Sequence, residues 1–180
     1  EFFQHYLRLH DLNVFPPSPA MKRLTMEALQ SPHWENKLLI CQVLIESLAL
    51  AQFSHLAANT RVVSLQQGLR RILDDEARHV KFGTDCLAER FQQHDAQQRQ
   101  VFGNFVVEKA FELAASDNHC VTIAQPLHWD IHKLRHHLRQ QRIQQPQSFQ
   151  QRFRQLSINI KAIGLMSPAL EHRLNRFLHK

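Results

Sequence analysis

Apolar positions recur every three to four residues along nearly the whole chain, and no alternating apolar and polar segment bounded by turns competes with that period. The pattern predicts an all-α protein. Residues 1–12 read as the end of a helix with Phe2, Tyr6 and Leu9 on one face, and Asn13 to Pro19 is a proline-rich loop that no helix continues through. A short helix covers 20–30. Ser31-Pro32 then reads as an N-cap followed by a first-turn proline, opening a long helix over 33–58 whose core stripe includes Leu39, Val43, Leu50 and Phe53. Asn59-Thr60 predicts a stop and a restart, and the next helix spans 61–93. A helix over 95–116 carries Val101, Phe105, Val106, Phe111 and Leu113 and runs into the polar Ser116-Asp117-Asn118. Three more, over 127–144, 147–162 and 168–179, are divided by Pro146 and by Gly164 to Pro168, where Ser167-Pro168 looks like another helix start.

Composition narrows the class without changing this picture. The 180 residues make one domain-sized chain, 43% hydrophobic and 21% charged, and 4 Gly leave almost no material for a phosphate-cradling loop. Cys41, Cys86 and Cys120 are odd in number and sit in or beside helical patterns, which suits reduced thiols in the cytoplasm better than a disulfide framework. No uninterrupted apolar run approaches the roughly 20 residues that cross a bilayer, so no membrane partner is expected. The net charge of +6 is uneven, −3 over residues 1–130 and +9 over 131–180. Such a basic third is either an acidic-partner surface or the solvated face of ordinary helices. The chain opens without Met, in the middle of an amphipathic pattern, and is read as lacking its natural N-terminus.

Two acidic positions interrupt apolar stripes. Glu46 lies within Val43-Leu44-Ile45-Glu46-Ser47-Leu48-Ala49-Leu50, and on the following helix Leu69, Ile72, Glu76, His79, Gly83 and Leu87 form one stripe at spacings of three and four. Glu76 and His79 are therefore expected to point inward. An ionised carboxylate buried without a partner costs on the order of several kcal/mol. The midpoint of 46 and 76 falls at the turn, so each Glu stands about 15 residues, or roughly 22 Å, from it and the two are level. Two carboxylates facing one another at one level repel unless a proton or cation lies between them, and a divalent metal resolves that. Glu76-x-x-His79 is the single Glu-x-x-His in the chain, against about 0.65 expected by chance. The alternative is that Glu76 pairs with Arg78 or Arg70 at the surface and that Glu46 is a protonated or hydrogen-bonded core residue.

Residues 43–57, Val-Leu-Ile-Glu-Ser-Leu-Ala-Leu-Ala-Gln-Phe-Ser-His-Leu-Ala, together with Asp74-Asp75-Glu76-Ala77-Arg78-His79-Val80-Lys81-Phe82-Gly83, resemble the second half of the ferritin-like diiron-carboxylate superfamily, in the manner of ribonucleotide reductase small subunits and related oxidases and oxygenases. The resemblance implies a ferritin-like four-helix bundle, truncated at its N-terminus, over 1–125, with a basic helical C-terminal extension over 126–180 packed on it. It implies Glu46, Glu76 and His79 as metal ligands, Asp75 orienting a ligand histidine from behind, and two iron ions, or one iron and one manganese, as the cofactor of the full-length protein. The implied activity is dioxygen activation with oxidation of a small-molecule substrate, and a homodimer is in keeping with such families. A complete site needs one more Glu and one more Glu-x-x-His, which nothing before Glu35 supplies. A weak echo of Phe82, Cys86 and Leu87 in Phe2, Tyr6 and Leu7 leads us to expect the counterparts of Glu76 and His79 upstream of Glu1.

Two rival readings stand beside this one. The first is a non-enzymatic helical module whose residues 131–180 bind an acidic partner or nucleic acid, nucleic acid being the less expected of the two because no reading motif accompanies Trp129, Phe149, Phe153 and Phe177. The second is ferritin-like iron storage or detoxification. His132, His136 and His137, close to Arg135 and Arg139, read as surface positions, and Tyr6 as core packing rather than a radical site.

Overall fold

A computed structural model describes residues 2–9, 16–115, 124–125, 127–144 and 146–178, and these form helices and connecting turns with no strand among them. Helix α1 is Phe2–Leu9, α2 is Pro19–Gln30 and α3 is Trp34–Leu38, which passes through a π-helical stretch, Leu39–Ile45, into α4, Glu46–Asn59. Helix α5 is Val63–Gln92, α6 is Ala96–Ala115, α7 is Ile131–Gln144, α8 is Pro146–Ala162 and α9 is Pro168–Leu178. The polar break at 116–118 and Cys120 lie outside the described residues; Cys41 and Cys86 are free thiols.

Most boundaries follow local chemistry. Ser18 accepts the Met21 amide at 3.2 Å with Pro19 as the first helical residue, so the last of the loop prolines starts α2 rather than ending the loop. Ser167 caps α9 in the same way, accepting from the Leu170 amide at 3.3 Å. Asp95 and Gln98 exchange bonds of 2.8 and 3.0 Å in a reciprocal box at the start of α6. Ser31 departs from the expectation. It does not cap the long helix but folds the turn before it, accepting from the His33 amide and the Asn36 side chain at 3.2 Å each, and the helix begins at Trp34.

The π-helical stretch was not legible in the sequence. From Leu39 to Ile45 the backbone bonds skip five residues, ending with the Glu46 amide donating to the Cys41 carbonyl. Such stretches are rare in soluble proteins and gather at functional sites. This one ends on Glu46, and the wider turn displaces everything after it relative to a plain helix.

One contiguous core runs through the chain. Leu39, Ile40, Val43 and Leu44 meet Leu87 and Phe91 of α5, Val106, Val107 and Ala110 of α6, and Phe153, Leu156 and Ile160 of α8, with Leu170 and Leu174 of α9 closing the end. The core therefore crosses the expected division at 125, and the basic C-terminal helices contribute buried residues to it rather than lying on a finished bundle. A buried polar link reinforces the joint: Asn159 donates to the Ser47 hydroxyl at 2.8 Å, and Ser47 donates to the Val43 carbonyl. Tight approaches are made by Gly83, where an added Cβ would stand 2.5 Å from the Cβ of Gln42, and by Gly103 beneath the Leu165 carbonyl.

The rod from Trp34 to Asn59 is 26 residues long and its most apolar stretch has a mean hydropathy of 1.4, enough by length and composition to cross a bilayer, although no uninterrupted apolar run within it is that long. Only 28% of its most apolar stretch is buried.

Candidate metal centre

Helices α4 and α5 form an antiparallel hairpin. Thr60 accepts the Val62 amide at 3.2 Å in the turn, and Gln66 of α5 reaches back to the Ala57 carbonyl at 2.9 Å. Along this pair Glu46 and Glu76 arrive at one level, as the equal distances from the turn predict. The His79 Nδ1 lies 3.7 Å from Glu46 Oε1 and 3.7 Å from Glu76 Oε2. One donor atom from each of the three side chains falls within 4.8 Å of the others, and among the described residues no fourth ligand-type side chain joins them.

The cluster is not enclosed. Side-chain exposure is 16% for Glu46, 23% for Glu76 and 60% for His79. His79 was expected on the inward stripe, and the structure corrects that. At about 100° per residue His79 lies roughly 80° from the direction of Leu87, whereas Val80 lies about 20° from it. Val80 is accordingly the buried residue and His79 stands at the stripe's edge. The site is a rim, dry behind Glu46 and open beside the imidazole.

The electrostatics concentrate on Glu46. Burial first, and then the nearby Glu76 carboxylate, push its pKa from 4.5 up to about 7, against the lowering influence of His79. Its Oε2 is buried with no hydrogen-bond donor among the described residues. The Cys41 thiol is likewise raised, by burial and then by the charge of Glu46. One turn before Glu46, Gln42 also holds a buried side-chain oxygen without a donor among the described residues, and its Cβ lies close against the Gly83 backbone. Sequence reasoning passed over Gln42, although a glutamine inside Leu38-Leu-Ile-Cys-Gln-Val-Leu-Ile is the kind of interruption that singled out Glu46.

Two expectations fare differently. Asp75 does not support the cluster from behind: it is 60% exposed and pairs with Arg78, its neighbour one turn along the surface. That same pairing occupies Arg78, one of the two arginines that could have taken Glu76 to the surface. A further buried acid, Glu35, was missed altogether. Burial raises its pKa, but the Arg90 hydrogen bond and charge outweigh that and hold the carboxyl below its ordinary value. The 2.8 Å bond from Arg90 Nε ties the start of the apolar rod to the end of α5. His132, His136 and His137 are exposed on α7, as expected, and Tyr6 is half-buried.

Comparison with protein-family models, curated proteins and solved structures finds no match. The site must be judged on its own chemistry. Two carboxylates and an imidazole suit a divalent first-row ion. The orphaned Glu46 oxygen and the mutual repulsion of the two acids are both relieved by a cation. The three donors fit one such ion and leave coordination positions open; two ions need more donors than these.

Proposed function

We propose that Glu46, Glu76 and His79 are ligands of a non-haem carboxylate metal centre of the diiron or iron–manganese type, in a helical scaffold of ferritin-like kind, and that the protein is an oxidoreductase acting on dioxygen and a small molecule. The observation that carries this reading is the convergence of three ligand-type side chains on a point where one carboxylate oxygen is buried without a donor. When bound, the metal ions would supply the electrons that dioxygen reduction requires.

The chain's own residues do the rest. Glu46 would give up its proton to an arriving ion, so uptake would be favoured by rising pH around neutrality. Glu76 and Glu46 would hold the ion with hard oxygen donors, and His79 would supply a softer donor on the open side. The π-helical stretch sets the direction of Glu46, and Gly83 lets the Gln42 turn come close enough for the two acids to share a ligand point. No side chain in the cluster is placed to act as a covalent nucleophile.

The basic C-terminal third supports the rival reading poorly, because Phe153, Leu156, Ile160, Leu170 and Leu174 make it part of the core, and Lys133, Arg139, Arg154, Lys161, Arg173 and Arg176 lie on the solvent faces of those helices. Anaerobic loading with Fe(II), followed by desalting and metal analysis, tests the proposal. Retained iron that is lost in Glu76→Ala is the expected result. Equal iron content in the two proteins would refute it.

A further inference from the structure

A cavity of about 300 Å³ opens between the C-terminal halves of α6 and α9, lined by Phe111, His172, Arg173, Arg176 and Phe177. It shares no residue and no helix with the metal cluster of α4 and α5. Two of its walls are aromatic: the Phe111 and Phe177 rings stack with centroids 4.1 Å apart, and Phe153 meets Phe177 edge-on at 5.9 Å. The remaining walls are two guanidinium groups and an imidazole, all on exposed positions of α9. We propose that this cavity binds a small amphipathic anion, its flat apolar body seated against the phenylalanine pair and its carboxylate or phosphate held by Arg173 and Arg176.

The core fixes these walls before any ligand arrives. Leu170 and Leu174 are each 1% exposed and pin α9 to the interior, and residues 172, 173, 176 and 177 follow on the adjoining face at spacings of three and four. Arg173 is already drawn over the aromatic pair, with its guanidinium carbon 5.5 Å from the Phe111 ring centroid. Its acid partner holds it weakly. Both of its terminal nitrogens reach a single oxygen of Glu108 at 3.4 Å, longer than a well-formed guanidinium–carboxylate pair, and both side chains stand in solvent. An incoming oxyanion replaces that contact at little cost. Glu112, one turn further along α6, is engaged by Lys109. His172 and Arg176 make no hydrogen bond or ion pair among the described residues, so the donors on this rim outnumber the acceptors the chain offers them.

Size and chemistry together select the ligand. The volume lies at the lower end of the roughly 300–1,000 Å³ that small-molecule sites occupy, which admits one ring system and its oxyanion but no folded segment of another protein. A wholly apolar molecule would take water from the guanidinium groups and give no acceptor in return. A bare inorganic anion would leave the phenylalanine pair wet. An anion with an apolar body satisfies both walls, and arginine's planar fork matches carboxylate and phosphate alike.

Calorimetric titration in chelator, which removes any contact between a carboxylate and a bound metal, tests this with 2-naphthoate, 2-naphthyl phosphate, 2-naphthalenemethanol and inorganic phosphate as probes. Either naphthyl anion should saturate one site per chain, and the tighter of the two identifies the oxyanion. The neutral alcohol and inorganic phosphate should each bind about tenfold more weakly or worse. Arg176→Gln should weaken the naphthyl anion by about tenfold while the melting curve stays within about 2 °C, since this side chain is exposed and bonded to nothing among the described residues. Glu76→Ala, in the metal cluster, should leave that affinity unchanged. Equal binding of the alcohol and the anions, full affinity in an Arg173→Gln, Arg176→Gln double variant, or no saturable binding of either anion overturns the proposal, and none of these results bears on the metal centre.

Discussion

Replacing Glu46 by glutamine should stabilise the metal-free protein, because it removes a charge that the fold holds at a cost. The Glu46 carboxyl titrates at about 7 in the folded chain against 4.5 ordinarily. Between those values the folded state keeps a proton that the unfolded state has released, so stability falls as pH rises through this window and levels off above about 7. The full separation corresponds to about 3 kcal/mol, and solvent on the Glu76 and His79 side reduces it to about 1–2 kcal/mol. At about 2–4 °C per kcal/mol for a chain of this size, Glu46→Gln should melt some 2–8 °C higher at pH 8 in chelator. At pH 4.5 the two proteins should converge. Saturating metal reverses the order, since the parent gains about 2.7 kcal/mol at a hundred times its Kd and the variant gains nothing. Denaturant unfolding at pH 4.5 and 8, with and without metal, reads all three results. If the variant is no more stable than the parent at pH 8, or if its advantage persists at pH 4.5, Glu46 is not the strained acid that the geometry describes.

Other substitutions separate binding from folding. His79→Ala should lower metal affinity by about 10- to 100-fold in calorimetric titration while shifting stability by no more than about 0.5 kcal/mol, since this imidazole stands at the rim. Gly83→Ala drives a methyl group into the Gln42 Cβ and should cost about 1–3 kcal/mol on thermal unfolding, with metal affinity falling as the two helices are pushed apart. Ser47→Ala leaves the Asn159 amide buried without its acceptor and should cost about 1–3 kcal/mol with metal affinity unchanged; equal losses of both would mean that α8 positions Glu46 as well as covering the rod.

What the amino-acid order determined alone was everything whose cause lies within a few residues or in simple arithmetic along a helix. The 3.6-residue period marked the helices, the Ser-Pro step at 167–168 marked one of their starts, and the equal spans from the 60–62 turn put Glu46 level with Glu76. An acid in the middle of an apolar run is visible in one dimension because its desolvation cost is local. Tertiary structure decided what depends on a partner far along the chain or on a few tens of degrees of rotation. Glu35 needed Arg90, Ser47 needed Asn159, and the C-terminal helices became core only where α6 and the π-helical stretch met them. His79 and Val80 compete for one inward direction, and in the folded chain Val80 is the one buried. The five-residue backbone bonding of Leu39–Ile45 carries no residue signature, since any apolar sequence can adopt it when surrounding packing holds it there, and so the feature that aims Glu46 was hidden until the helices were assembled.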